Sequence, residues 1–120
     1  MKPSIVKEKS YAFALRIITL TQGLRDQKEF EIARQILRSG TSIGANVEEA
    51  LAGISRADFI SKMSIASKEA RETNYWLRLL RDSKIVAESK ISPLEKESLE
   101  LVRILTAIVK TSQTGGATKD

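Results

Sequence analysis

The sequence predicts an all-α protein, an antiparallel up-down-up-down four-helix bundle. Apolar residues recur at steps of three and four along almost the whole chain, and no sustained run alternates with the period of two that marks a strand. The connections between the first apolar stripes are only a few residues long, which makes successive helices antiparallel neighbours. A chain of 120 residues fits one domain with one core. We therefore predict a bundle over residues 1–112 and a flexible, polar tail over 113–120.

The ends of the predicted helices carry capping signals. We expect four helices, near residues 4–25, 27–52, 55–83 and 92–112. Ser55 with Asp58, and Ser92 with Glu95, fit an N-cap followed by an acidic residue at the third helical position. Pro93 would then occupy the first position of the fourth helix, where its missing N–H costs nothing.

The second helix has end signals of its own. Asp26 with Glu29 fits the capping pattern at its start, and Gly53 suits a left-handed residue after its last turn. Its apolar seam is predicted to contain Phe30, Ala33, Leu37, Gly40, Gly44, Val47 and Leu51. The other helices have equivalent seams, such as Phe13, Ile17 and Leu24 in the first, Met63, Ala70 and Leu77 in the third, and Leu94, Leu101 and Leu105 in the fourth.

A second apolar stripe lies beside the seam on the last three helices. It either widens the core-facing side of each helix or marks a surface where subunits associate, and periodicity alone leaves both interpretations open. Under the second interpretation the predicted oligomer interface contains Ile36, Ile43, Ile65, Glu72, Trp76 and Leu79.

Residues 38–50 combine two glycines with three hydroxyl residues inside a predicted helix. A glycine in a helix interior costs about 1 kcal/mol relative to alanine. Gly40 and Gly44 lie four residues apart on the seam, so they would let a neighbouring helix approach closely. The alternative is a backbone contact with phosphate, although the glycine spacing matches neither the dinucleotide fingerprint nor the P-loop. Asn46 and Glu48 lie next to the seam and would need polar partners if they were buried.

Composition excludes most kinds of active site. The chain has no cysteine and no histidine, which removes disulfides, zinc and iron–sulfur sites, thiol catalysis and the histidine-based triads. Glu69 and Glu72 lie three residues apart, but without histidine the two-iron ligand set of helical bundles is incomplete. We therefore expect no enzymatic activity, no metal and no cofactor. No apolar run is long enough to cross a membrane, and charged residues interrupt any signal peptide, so we expect a cytoplasmic protein.

Positive charge is concentrated on the first and third predicted helices. The formal net charge is +5, which permits a polyanionic partner without requiring one. Arginines interleaved with an exposed aromatic residue suit contacts with phosphates and stacking on bases, whereas the alternative is a solvated face with local ion pairs. The candidate nucleic-acid-binding residues are Lys9, Arg16, Arg34, Arg38, Lys68, Arg71, Tyr75, Arg78 and Arg81.

Two segments carry a resemblance to a known family. These are residues 38–50 (RSGTSIGANVEEA) and residues 55–77 (SRADFISKMSIASKEARETNYWL). The chain resembles the bacterial four-helix-bundle proteins encoded in intervening sequences of 23S ribosomal RNA genes, a ribosomal-protein-like family. It is also similar to the accessory subunits of diversity-generating retroelements. The resemblance implies a bundle that assembles into a ring, a homopentamer, which contacts nucleic acid and has a reverse transcriptase as a partner.

Two functions remain in consideration at this point. The first is a non-catalytic, oligomeric bundle that binds ribosomal or other structured RNA, or DNA, through its basic surface. The alternative is an oligomeric scaffold or accessory subunit that binds proteins and has no direct role with nucleic acid.

Overall fold

Four helices make up most of the chain. The computed structural model describes the backbone of residues 3–119 and the side chains from Ile5 to Thr114. The helices are α1 (Pro3–Asp26), α2 (Phe30–Leu51), α3 (Arg56–Asp82) and α4 (Glu88–Lys119). Within residues 3–119 there is no strand.

The helices form an antiparallel bundle in chain order. Helix α1 packs on α2, α2 on α3, α3 on α4, and α4 closes the bundle against α1, so α1 and α3 lie at opposite corners. The molecule is elongated, with principal extents of 53 × 21 × 19 Å. These observations confirm the predicted all-α, four-helix fold class.

The core consists of the predicted seams of α1, α3 and α4. Phe13, Ile17, Met63, Leu77 and Leu105 are all completely or almost completely buried. Burial of a large apolar side chain contributes about 1.5–3 kcal/mol, so this seam is the main source of the bundle's stability.

The seam of α2 differs from the prediction. Phe30, predicted to be in the core, has 59% of its surface exposed, whereas Ile36 and Ile43 are fully buried. The α2 helix carries two overlapping stripes with three- and four-residue steps, and both contain Gly40 and Val47. The register adopted is the one that buries the two isoleucines together with Ala33, Gly40, Val47 and Ala50.

Close approach of α1 and α2 explains the two glycines of α2. A Cβ atom on Gly40 would lie only 2.8 Å from Cγ2 of Ile17, and one on Gly44 would lie 3.3 Å from Oγ of Ser10. Ile17 is fully buried and branched at Cβ, so it has little room to move. The packing interpretation of these glycines therefore has a specific contact on the facing helix.

The helix ends agree with one capping prediction and contradict two others. Ser55 is the N-cap of α3, and its Oγ accepts a hydrogen bond from the Asp58 N–H at 3.0 Å. Asp26 is the last residue of α1, so it is not the N-cap of α2. That position is occupied by Glu29, which makes no side-chain capping bond. Gly53 does not take up a left-handed conformation, since none of the described glycines has a positive φ.

The left-handed residues are instead two lysines. Lys28 has φ 66° and Lys84 has φ 62°, and they follow the ends of α1 and α3. The Lys28 N–H donates to Arg25 O and the Glu29 N–H donates to Leu24 O, both at 2.9 Å, which is the double hydrogen bond of a Schellman cap. A left-handed cap is thus present after α1 without the glycine that usually marks it.

The start of α4 also differs from the prediction. The helix begins at Glu88, so Ser92 is not its N-cap, and Pro93 lies inside the helix. Ile91 is completely buried, and its packing in the core accounts for the additional helical turn before the proline. At its other end α4 continues to Lys119. The helix therefore extends past residue 112, where the sequence analysis placed its end. The flexibility predicted for residues 113–120 stays a prediction, because the side chains from residue 115 onward lie outside the described residues.

Candidate nucleic-acid interface

Most of the predicted basic residues are held in ion pairs. Three of these pairs join α4 to a neighbouring helix: Lys9 to Glu100 at 3.3 Å, Arg81 to Glu95 at 2.8 Å, and Arg16 to Glu97. Arg34 pairs with Glu31 within α2, and Arg38 of α2 contacts both Glu69 and Glu72 of α3. Exposed pairs of this kind contribute only about 0–1 kcal/mol each to stability. They do compensate the positive charge locally, so these residues are weaker candidates for binding a polyanion.

The basic residues in the middle of α3 make no close ion pair among the described residues, although the charges of Lys68 and Arg78 act at longer range on Glu72 and Asp82, one turn along the helix. Arg71 donates from Nη2 to Thr106 Oγ1 at 3.2 Å, and Arg78 donates from Nε to Asn74 Oδ1 at 3.0 Å. Lys68 makes no ion pair within the same part of the chain. Because Thr106 belongs to α4, the side chain of Arg71 reaches across the groove between α3 and α4.

Helix α4 adds cations to this face that the sequence analysis missed. Arg103 and Lys110 are exposed and lie three residues before and four residues after Thr106, so they share its side of the helix. Lys96 is also exposed and lies about two helical turns before Arg103. Around Arg103 and Lys110 there is no aspartate or glutamate between residues 101 and 114, whereas Lys96 has Glu95 and Glu97 as sequence neighbours. Their spacing was visible in the sequence, but their position beside α3 depends on the packing of two helices. We call this surface, formed by Lys68, Arg71, Tyr75, Arg78, Lys96, Arg103 and Lys110, the α3–α4 basic face.

An aromatic side chain lies within the α3–α4 basic face. Tyr75 is exposed, and its ring meets the Trp76 ring edge-on, with 5.2 Å between the centroids. The guanidinium carbon of Arg78 lies 5.8 Å from the centroid of the Tyr75 ring, within cation–π range. An aromatic ring and a guanidinium plane in contact offer a surface on which an unpaired base can stack.

On its other side, α3 carries a polar cluster with α2. The Trp76 Nε1–H donates to Glu72 Oε2 at 3.0 Å, and Arg38 donates to the same oxygen. The hydrogen bond from Trp76, followed by the contact with Arg38, lowers the pKa of the Glu72 carboxyl below its ordinary value. A depressed pKa in the folded state stabilises the fold above the pKa of the unfolded chain, about 4.3, and this contribution is lost as the pH falls through the folded-state pKa.

The predicted oligomer interface divides into buried and exposed residues. Ile36 and Ile43 are fully buried in the core of the single chain, so their assignment to a subunit interface is wrong. Ile65 and Leu79 lie on the outer side of α3, with 38% and 39% of their surfaces exposed, and Trp76 is half-buried beside them. We call the surface formed by Ile65, Glu72, Trp76 and Leu79 the α3 apolar strip. It runs along the α2 side of α3, next to the basic face on the α4 side.

A second exposed apolar surface lies on α1. Tyr11 and Leu15 have 60% and 52% of their surfaces exposed, and Ile18 is exposed on the same side of the helix. Their spacing of four and three residues is helical, so the sequence contained the signal. It was missed because the seam of α1 already accounted for one apolar face. We call these three residues the α1 apolar strip.

The polar residues of the glycine-rich segment do not form a separate site. The Asn46 side-chain N–H donates to Ser42 O at 2.9 Å, within α2 itself. Glu48 is exposed and lies near Tyr11 in a shallow groove between α1 and α2. Neither residue therefore needs the partners from other helices that burial would have required.

The described part of the chain has neither a cluster of metal-binding side chains nor a membrane-spanning helix. Residues 3–119 contain no group of three or more acidic residues arranged to hold a metal ion. None of the helices described is long and apolar enough to span a membrane.

The fold and surface together define a class of protein. It is a four-helix bundle whose candidate site is an exposed face of cations that make no ion pair among the described residues. The chain belongs to the 23S rRNA-intervening sequence protein family, whose model matches residues 2–107.

A solved structure supports this assignment. A protein of unknown function from the S23 ribosomal protein family of Bacteroides thetaiotaomicron VPI-5482, with a crystal structure at 1.70 Å resolution, is 49% identical to this chain. The similarity covers 92% of this chain and 100% of that one, with a TM-score of 0.88. No curated protein sequence is similar enough to count as a match.

Proposed function

We propose that this protein is a non-catalytic, oligomeric bundle that binds structured RNA or DNA through the α3–α4 basic face. The observation that carries the proposal is that Lys68, Arg71 and Arg78 make no ion pair among the described residues, while most other predicted cations do. Family membership is consistent with an RNA partner.

The distribution of charge is what makes this face suitable. Ion pairs hold Lys9, Arg16 and Arg81 along the seams that α4 shares with its neighbours. Within the described chain, Lys68, Arg71 and Arg78 therefore remain as a group of unpaired cations on the α3–α4 side of the bundle. Phosphate contacts from such a face neutralise the backbone charge and release counterions, without reading a base sequence.

A pair of substitutions on this face tests the proposal. In R71Q/R78Q we expect weaker binding to an RNA hairpin, and a plot of log K against log salt whose slope is smaller by about 1.5. The measurement is a fluorescence anisotropy titration at several salt concentrations, repeated with a DNA hairpin of the same sequence.

The control for this test removes the same charge from α1. Lys7 and Arg25 are exposed and make no ion pair within the described residues, so K7Q/R25Q should bind nearly as the unchanged protein does. An equal loss in both double variants would mean that only net charge matters. Absence of binding to either hairpin at low salt would contradict the proposal itself.

The exposed apolar strips favour self-association as part of this function. Large apolar side chains grouped on a small domain commonly mark an association surface. The α1 and α3 apolar strips lie on helices at opposite corners of the bundle, so one copy can present its α1 strip to the α3 strip of the next. Such a head-to-tail contact generates a ring when the rotation closes. We propose a homopentamer, the assembly that the family resemblance implies.

The mass of the protein in solution tests the assembly. We expect L15E and L79E each to lower the mass measured by light scattering towards that of a single chain, because a charge placed in an apolar contact is costly to bury. L99E is the control, since Leu99 is equally exposed but lies on α4, outside both strips. A monomeric unchanged protein, or an equal effect of all three variants, would contradict the arrangement.

A protein scaffold is the second candidate function. It is favoured by the same apolar strips, which could receive a different protein, such as a reverse transcriptase-like partner. If the unchanged protein forms oligomers but ignores both hairpins, the scaffold function is the one that the observations support.

A further inference from the structure

An open pocket lined mostly by residues with polar side chains lies between α3 and α4 within the basic face. It has a volume of about 270 Å³, and Val109 contributes to its wall. The polar residues that line it are Ser64, Ser67 and Arg71 from α3, and Thr106, Lys110 and Gln113 from α4.

The chemistry of this pocket is that of a hydrogen-bond donor site. Its lining supplies two cations, three hydroxyls and one amide, and none of the lining residues is acidic. Elsewhere on the bundle, Lys9, Arg16 and Arg38 are paired with carboxylates, so a cationic pocket without an acid differs from its surroundings.

Local hydrogen bonds orient some of the hydrogen-bond donors in the pocket, and other donors remain free to bind a ligand. Thr106 Oγ1 accepts a hydrogen bond from Arg71 Nη2 at 3.2 Å and lies 3.3 Å from Ser67 Oγ. A guanidinium carries five N–H groups, so the other donors of Arg71 remain available. Within the described chain the side chains of Ser64 and Lys110 make no hydrogen bond or ion pair. The site thus combines a fixed arginine with free donors on both helices.

We propose that this pocket binds a phosphate group, and that in the complex it holds a phosphodiester of the nucleic-acid backbone. A phosphate presents several acceptor oxygens in a tetrahedron, which matches donors converging from two helices, and arginine binds it through a planar fork. A metal cation is disfavoured by Arg71 and Lys110. The second part of the inference rests on the proposed function, whereas the first part stands without it.

The experiment follows backbone amide signals of ¹⁵N-labelled protein by NMR. One arm titrates inorganic phosphate at constant ionic strength with chloride, and the other titrates a short single-stranded oligonucleotide without a terminal phosphate. We expect both ligands to shift the amides of Ser64, Ser67 and Thr106 to saturation.

Matched variants separate the pocket from general charge effects. T106V/K110Q removes one hydroxyl and one charge from the pocket and should weaken phosphate binding about tenfold or more, because charge-assisted hydrogen bonds are lost. K90Q/T111V makes the same chemical changes on α4 at positions that do not line the pocket, and should bind as the unchanged protein does.

The outcomes distinguish the pocket from the proposed function. If inorganic phosphate gives no saturating shifts, or both double variants behave alike, the phosphate pocket is overturned. Oligonucleotide binding that leaves the pocket amides unshifted overturns the phosphodiester assignment but not the proposed function. Saturation by inorganic phosphate without any oligonucleotide binding supports a site for a free phosphate group and overturns the phosphodiester assignment, whereas the hairpin titrations test the nucleic-acid role separately.

Discussion

Replacing Ile43 with alanine is expected to lower the free energy of unfolding by about 2–5 kcal/mol. Ile43 is fully buried between helices, so the substitution removes buried apolar surface and leaves a cavity that the packed helices fill only in part. The measurement is urea unfolding followed by circular dichroism, at one fixed protein concentration because association contributes to stability.

The control for this prediction is another isoleucine from the same predicted interface. Ile65 is partly exposed on the outer side of α3, so I65A should cost much less stability in the single chain and should act mainly on association. The comparison separates the two interpretations of the second apolar stripe. Ile43 represents a wider core-facing side of the helix, and Ile65 represents a surface where subunits associate. Similar losses in the two variants would show that Ile43 is not in the core as described.

Replacing Gly40 with alanine is expected to destabilise the protein, although alanine is the better helix former. The new methyl group would lie less than 3 Å from two side-chain carbons of Ile17, a buried residue on α1. We expect a net loss of about 1–2 kcal/mol, since overpacking costs more than the roughly 1 kcal/mol that helix propensity returns. Thermal and urea unfolding measure the difference.

Gly23 provides a control with the same chemical change. It lies in the interior of α1, and a Cβ atom there would have nothing within 4 Å. G23A should therefore stabilise the protein by about 0.5–1 kcal/mol, the ordinary gain from glycine to alanine in a helix. If G40A were as stable as G23A, the approach of α1 to α2 would have to be looser than the contact with Ile17 implies.

The parts of the fold that could be predicted are those with a single dominant local signal. The seam of α3 is one clear stripe, and Ser55 is followed by Asp58 at the spacing that its hydrogen bond needs. In α2 two stripes compete, and only the packing of the whole bundle, which buries Ile36 and Ile43 and exposes Phe30, decides between them. At the start of α4 a strong local signal, Ser92 before a proline, is overridden by packing in the core.

The candidate site was only partly predictable for a related reason. Arg71 and Arg78 were identified because they share a face of one helix, which is a property of local spacing. Whether a cation is compensated depends on carboxylates far away in the chain, as with Lys9 and Glu100. The same limit applies to Lys110, whose place beside Arg71 is created by the packing of α4 on α3.

The ion pairs along the helix seams have a consequence for how fast a partner is found. Because the pairs of Lys9 and Arg16 neutralise cations on the α1–α4 side of the bundle, we expect the cations left unpaired in the described parts of α3 and α4 to give the molecule an electric dipole with its positive end on the α3–α4 side. An approaching polyanion exerts a torque on this dipole and turns the protein before contact is made. Productive encounters then occupy a larger share of collisions, and the association rate rises as the ionic strength falls.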